Sequence, residues 1–176
     1  VIIKDVTILN SAGHGVIINS PNVLINWMRI ESCSGHGLVN ESLGIVLASN
    51  LRIINASNTG LFNHGDISIT NAIIEHNRHG VVSYSGNLDI EGSSIRNNRV
   101  NGLLLGGDGD NTIVYTSIEK NSGYGIETTK WSQAGLNGTW SQSSGPILRV
   151  NNCNIVLNHQ TSVLDRPLFL NAGLTV

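Results

Sequence analysis

The chain alternates short apolar runs with polar breaks along its whole length. The runs are three to five residues long and rich in β-branched side chains, as in Val6-Thr7-Ile8, Gly15-Val16-Ile17-Ile18 and Asn22-Val23-Leu24-Ile25, with Asn, Ser, His and Gly between them. No window keeps a 3.6-residue period over the roughly 10 to 12 residues a helix needs, so the runs read as strands. They also recur. Aligned on a repeating glycine, Gly15, Gly37, Gly60, Gly80, Gly102 and Gly125 form one column and Ser162 takes that place in a seventh copy, at spacings of 22, 23, 20, 22, 23 and 37 residues. Seven residues before these anchors stand Ile8, Ile30, Ile53, Ile73, Ile95, Ile118 and Ile155. The residue after each anchor is apolar in every copy: Val16, Leu38, Leu61, Val81, Leu103, Ile126 and Val163. A third column, twelve before the anchor, is looser, with Ile3, Ile25, Ala48, Ser68, Ile90, Ile113 and Val150.

A fixed period of this length marks a solenoid. Three short strands joined by tight turns cannot bury an apolar face alone, but stacked copies set each strand beside its equivalent at about 4.8 Å in a parallel sheet. The expected fold is therefore all-β, about seven coils of 20–23 residues with three short strands per coil, over a single segment spanning 1–176. The isoleucine column becomes an internal ladder. Asn10, Asn55 and Asn97, five before the anchor, and Asn98, Asn121 and Asn158, four before it, fall at turns. There asparagine tolerates the left-handed conformation and can bond along the stack.

The pattern resembles the right-handed parallel β-helix of the pectate-lyase-like superfamily, whose repeats read Ile-x-x-Asn-x-x-x-Gly-Ile/Val. It shows in Ile95-Arg96-Asn97-Asn98-Arg99-Val100-Asn101-Gly102-Leu103 and in Ile118-Glu119-Lys120-Asn121-Ser122-Gly123-Tyr124-Gly125-Ile126. The resemblance implies the fold and leaves the function open, because this architecture hosts lyases, hydrolases, epimerases, tailspikes, adhesins and scaffolds. In texture the chain is most similar to the extracellular β-helical repeats of animal cell-junction proteins such as the bark beetle (Anakonda) family. That similarity implies a non-catalytic adhesion module whose partners are junction proteins or copies of itself.

Composition narrows the field. Charged residues make up 12% of the chain and the formal net charge is −2, against about 25% charged in an ordinary domain. With no basic excess, binding to nucleic acid by phosphate neutralisation is not expected. The 40% hydrophobic content excludes disorder, and 23 Asn and 20 Gly take the place of the missing charges. Val1-Ile2-Ile3 runs straight into Lys4-Asp5, unlike a signal peptide, and no apolar run approaches a membrane span. Both ends lie inside apolar patterns, Val1 to Ile3 and Leu174 to Val176, so the expectation is a segment of a larger extracellular protein, without membrane contact of its own.

Candidate chemistry is sparse. Gly13-His14-Gly15 and Gly35-His36-Gly37 match one motif of polygalacturonate hydrolases, but the Asn-Thr-Asp, Asp-Asp and Arg-Ile-Lys companions are missing, and glycosidic cleavage generally needs two carboxylates. His14, His36 and His79 each precede an anchor; the column is either one able to bind metal or sugar or, as favoured, a turn position that accepts histidine. Glu75, Arg96, Glu119 and Lys120 alternate in sign on successive coils; this reads as an ion-pair ladder, and Glu75, Arg96 and Glu119 are the catalytic candidates should the chain be an enzyme. Asp108 and Asp110 lie in a Gly-rich loop and are candidate Ca²⁺ ligands; no other cofactor is expected. Arg29 and Arg52 share a column, where like charges about 5 Å apart call for solvation, splaying or an anionic partner. Cys33 and Cys153 are five rungs apart, roughly 24 Å along the axis, too far for a disulfide.

The long last spacing reflects an insertion over 129–146, expected to protrude as a loop, that carries Trp131 and Trp140. Exposed tryptophans on such a loop are candidate contact anchors, or simply cover the sheet. Asn40, Asn55 and Asn137 head glycosylation sequons, with Asn137 the most accessible on this reading. The expected function is a non-catalytic extracellular scaffold or adhesion module, binding protein partners through its side and its inserted loop. The alternative is a carbohydrate-active enzyme or tailspike-like module that acts on or binds acidic polysaccharide.

Overall fold

The computed structural model describes residues 1–133, 136, 139–159 and the backbone of Phe169–Leu170. Every element is a strand, and neighbouring coils pair in parallel. Each coil has three faces. In the second coil the first two faces are one bent strand, Val23–Glu31, and the third is Leu38–Asn40. The same bend joins Ile2–Leu9 and Ile45–Ile54, so the early coils carry two strands where three were expected. Later coils break the strand at the bend, as in Leu88–Glu91 followed by Ser94–Arg96. Among the described residues the third face holds six strands. The seventh-copy anchor, Ser162-Val163, lies outside the described residues.

Single left-handed residues make the bends. The first corner uses Asp5, Trp27, Asn50, Asn71, Gly92, Tyr115 and Asn152, and the second Asn10, Ser32, Asn55, His76, Asn97, Lys120 and Leu157, all with φ between 49° and 60°. One such residue swings the chain onto the next face without opening the parallel ladder. Asn, Asp and Gly reach this region at least cost.

The isoleucine ladder holds with one correction. Ile53 stands opposite Ile74, not Ile73, and Ile74 opposite Ile95. In the looser column, likewise, Ile69 rather than Ser68 lies between Ala48 and Ile90. The fourth coil is one residue shorter between its second corner and Gly80, so counting back from the glycine lands one residue early. Ile69 and Ile74 are buried.

The anchor glycines are required by close approach. A Cβ on Gly37 would lie 2.3 Å from Ile53 Cγ2 and 2.6 Å from the Gly60 carbonyl oxygen. Gly102 stands in the same relation to Ile118 and Gly125, at 2.6 Å each. The glycine and isoleucine columns are therefore one packing unit, each isoleucine filling the space its neighbour's glycine leaves.

A buried asparagine ladder runs beside them. Asn98 Nδ2 donates to the Ile74 carbonyl and Asn121 Nδ2 to that of Ile95, while Asn98 Oδ1 accepts from the Asn77 amide and Asn121 Oδ1 from the Asn98 amide. Asn158 continues the pattern through the Asn121 amide and the Ile118 carbonyl. Cys33 and Cys153 are both buried and free, and burial raises both thiol pKa values.

Candidate functional site

The first corner opens into a groove of about 520 Å³ along the first four coils, lined by Asp5, Thr7, Trp27, Arg29, Asn50, Arg52 and Asn71, with Ile73 at its end. Trp27 stands on the corner, 61% exposed at a φ of 58°. Asn50 and Asn71 are the equivalent corner residues of the next coils, and Asn71 Nδ2 donates to Asn50 Oδ1. Their amides make a polar edge along the groove.

Arg29 and Arg52 are register partners on adjacent strands. Their like charges are relieved by internal carboxylates one column over. Arg29 pairs with Glu31 through Nε and Nη2, and Arg52 Nη2 meets Glu75 Oε1 at 3.2 Å. Arg96 Nε reaches the other oxygen, Glu75 Oε2, at 2.9 Å. The Glu75 side chain, only 8% exposed, thus binds two guanidiniums. Glu119 sits opposite Arg96 in register, but no ion pair joins them. Of the catalytic candidates, then, Glu75 and Arg96 come together and Glu119 stands apart. A carboxylate with both oxygens on guanidinium N–H groups is held as an acceptor and is poorly placed to donate a proton.

Asp108 and Asp110 take different protein partners. Asp108 Oδ1 accepts from the Ser144 amide at 2.8 Å and from its hydroxyl at 2.6 Å, and the hydroxyl bond foremost lowers its pKa. Asp110 pairs with Arg149. No metal-type cluster of His, Cys, Asp or Glu occurs among the described residues.

The insertion, expected to protrude, folds back on the third face instead. Trp131–Gln133 and Trp140–Gln142 form an antiparallel hairpin, and the Leu136 amide donates to the Glu41 carboxylate. Apolar contact explains the fold-back: the third face turns Val39, Phe62 and Val82 outward, and Leu136 packs against them. An aromatic row covers that face. His14 stacks on His36 at 5.1 Å, His36 meets Phe62 at 4.5 Å, Phe62 meets Tyr84 at 6.0 Å, and Tyr84 meets Trp140 edge to face at 4.8 Å. Burial, reinforced by His14, His64 and His79, lowers the His36 pKa to about 4, and burial with Arg78 nearby does the same to His79. His64 is lowered chiefly by burial, against the opposing pull of Glu41.

Among the sequons, Asn40 is corrected. Its side chain is fully buried and its Nδ2 donates to Asn63 Oδ1 at 2.8 Å, so it is not available to a glycosyl donor. Asn55 is exposed at the second corner, and Asn137 lies outside the described residues. Sequence reasoning missed Trp27, Tyr84 and Glu127. Trp27 had a signal, since it falls in a corner column otherwise rich in Asn, Asp and Gly; Tyr84 and Glu127 had none, because only the folded hairpin brings them beside Trp140.

Stacked coils and left-handed corners define a parallel β-helix with a groove along one side. Residues 1–165 match the family described as Right handed beta helix region, and the chain belongs to that family. No match was found among curated proteins. Among solved structures, the chain is similar to a crystal structure of a mutant of the periplasmic alginate epimerase AlgG, at 15% identity and a TM-score of 0.49, over 97% of this chain and 45% of that one. The chain thus spans less than half of that protein's length.

Proposed function

We propose that this chain is a non-catalytic, glycan-binding stretch of β-helix and that an acidic oligosaccharide lies along the corner groove. The observation that carries this is Trp27, a bulky aromatic held in the left-handed region yet 61% exposed. A left-handed non-glycine residue costs about 1–2 kcal/mol, and at that exposure core packing does not offset it. Unlike Tyr115 and Leu157, which share that conformation and exposure, Trp27 lines the groove and presents its indole face there. Sugar rings present C–H faces to such a platform, and the amides of Asn50 and Asn71 suit their hydroxyls. Among the lining residues Arg29 and Arg52 outnumber the single acid, Asp5, and each arginine keeps N–H groups beyond its internal ion pair for a uronate carboxylate. Hydrolysis is not expected of this groove. Glu31, Glu75, Asp108 and Asp110 are committed to internal partners, and Asp5 is the groove's one carboxylate where glycosidic hydrolysis generally needs two.

Titration calorimetry with an oligouronate and a neutral oligosaccharide of equal length tests this. The oligouronate should bind in preference, Arg29→Ala and Arg52→Ala should each weaken it about tenfold, and no reducing ends or unsaturated products should form. Equal affinity for the neutral sugar, or none for the uronate, would sink the proposal.

A different feature favours a protein partner, as in an extracellular adhesion module. Ile2, Leu24 and Leu47 stack in register on the outer side of the first face, 65%, 37% and 49% exposed, with Leu43 and Ile45 nearby. Sedimentation of the wild type against a Leu24→Lys/Leu47→Lys variant checks it; self-association through this ladder should disappear in the variant.

A further inference from the structure

We propose that the cleft between the inserted hairpin and the third face is a binding site for a quaternary ammonium group. The cleft, about 480 Å³, is lined by Tyr84, Leu104, Glu127, Thr129, Trp131 and Trp140. It is separate from the corner groove and shares no residue with it. Both indoles are about half exposed, and Trp140 meets Tyr84 edge to face at 4.8 Å, so the π-faces of the group are not all spent on one another. Glu127 is the one charged residue in the lining, and it is fixed by the side-chain amide of Asn101.

Three aromatic rings and one carboxylate select a cation. The ring faces attract it through their quadrupoles and the carboxylate supplies the formal charge. A primary ammonium would demand acceptors for three N–H groups, and beside Glu127 the lining side chains offer only the Thr129 hydroxyl and the Tyr84 phenol. A methylated ammonium has no N–H to satisfy and is cheap to desolvate. Burial and then the Glu127 charge raise the Tyr84 pKa, which keeps the phenol neutral.

The site is built rather than incidental. The Gly107 amide donates to the Trp131 carbonyl at 3.0 Å, holding the hairpin root on the wall. A Cβ on Gly106 would stand 2.2 Å from that carbonyl oxygen and 2.8 Å from Tyr84 Cδ1, so the close approach of hairpin and Tyr84 depends on glycine there.

The test is a fluorescence titration in a Trp27→Phe background, where only Trp131 and Trp140 report. Choline should give a saturable change, and its neutral isostere 3,3-dimethylbutanol should bind about tenfold more weakly. Glu127→Gln, which keeps the shape of the cleft, should weaken choline several-fold, and Trp140→Phe, which keeps a ring in place if Trp140→Ala unfolds the hairpin, should weaken it less than Trp140→Ala. Phosphatidylcholine vesicles and a trimethyllysine peptide, run in parallel, identify the carrier; a response to either also supports the site. Equal binding of the neutral isostere, an unchanged affinity in Glu127→Gln, or no response to choline, vesicles or peptide in a folded protein would overturn it. The background variant already lacks the Trp27 platform, so this result is independent of the corner groove.

Discussion

At each anchor glycine an isoleucine methyl of the following coil lies within 2.3–2.6 Å of where a Cβ would stand, and this decides what substitution costs. Gly102→Ala places its Cβ 2.6 Å from both Ile118 Cγ2 and the Gly125 carbonyl. Neither can retreat, one being locked in the ladder and the other part of the sheet, so a loss of about 1–3 kcal/mol is expected from urea unfolding. Gly13 is the control, with nothing within 4 Å of its Cβ position and no positive φ; Gly13→Ala should be neutral or slightly stabilising through the unfolded state. Equal losses at both positions would refute the packing account. Trp27 runs the other way. Trp27→Asn should raise the melting temperature by a few degrees, relieving left-handed strain worth about 1–2 kcal/mol, while oligouronate binding falls away. The glycine and isoleucine columns were legible in the sequence because each is nearly invariant from coil to coil. The exchange of Ile74 for Ile73 was not, since two adjacent isoleucines satisfy a count equally well and only the inward-facing one meets Ile53 and Ile95.

Elements that cross the repeat were the least legible. The insertion announced itself as a long spacing, but its seat did not: Val39, Phe62 and Val82 form an ordinary apolar column two residues past the anchor, and nothing in the repeat marks that column as the one Leu136 covers. The buried histidines on the third face should also make the protein pH-sensitive. His36 and His79 titrate near pH 4 in the fold, mainly through burial, against about 6.5 in an unfolded chain. Between those values the unfolded state binds more protons, so stability rises with pH across this window. It is complete above about pH 6.5 and declines as the pH falls toward 4. Denaturant midpoints measured across the range should show the decline, and a His36→Asn/His79→Asn variant should flatten it. Asn101 already fills the equivalent pre-anchor position of the next coil, so the substitution suits the site. An unchanged slope would mean that burial does not hold these histidines neutral in the fold.

For the molecule as a whole, stability is a sum over coils and the interfaces between them, and the low charge of the chain follows from that plan. Inward positions take aliphatic ladders and corners take Asn or Gly, which leaves the few charges to pair across rungs, as Glu75 does with Arg52 and Arg96. A solenoid of this kind should survive losing a full period. Deleting Gly80 to Asn101, 22 residues, joins His79 to Gly102 and brings Ile118 opposite Ile74 and Asn121 opposite Asn77, so every interior column is restored. The new neighbour of Glu75 is Glu119, a like charge in place of Arg96, so the deletion protein should keep its β-sheet circular dichroism but lose stability, and Glu119→Arg should recover part of it. Removing 11 residues instead puts ladder positions on the wrong face and should abolish cooperative unfolding. The full-period deletion also separates the two binding surfaces. All residues lining the corner groove precede Gly80, whereas Tyr84 is removed from the hairpin cleft, so oligouronate binding should persist and the choline response should disappear. Joint survival or joint loss of the two activities in a folded deletion protein would show that they do not belong to separate faces of the coil.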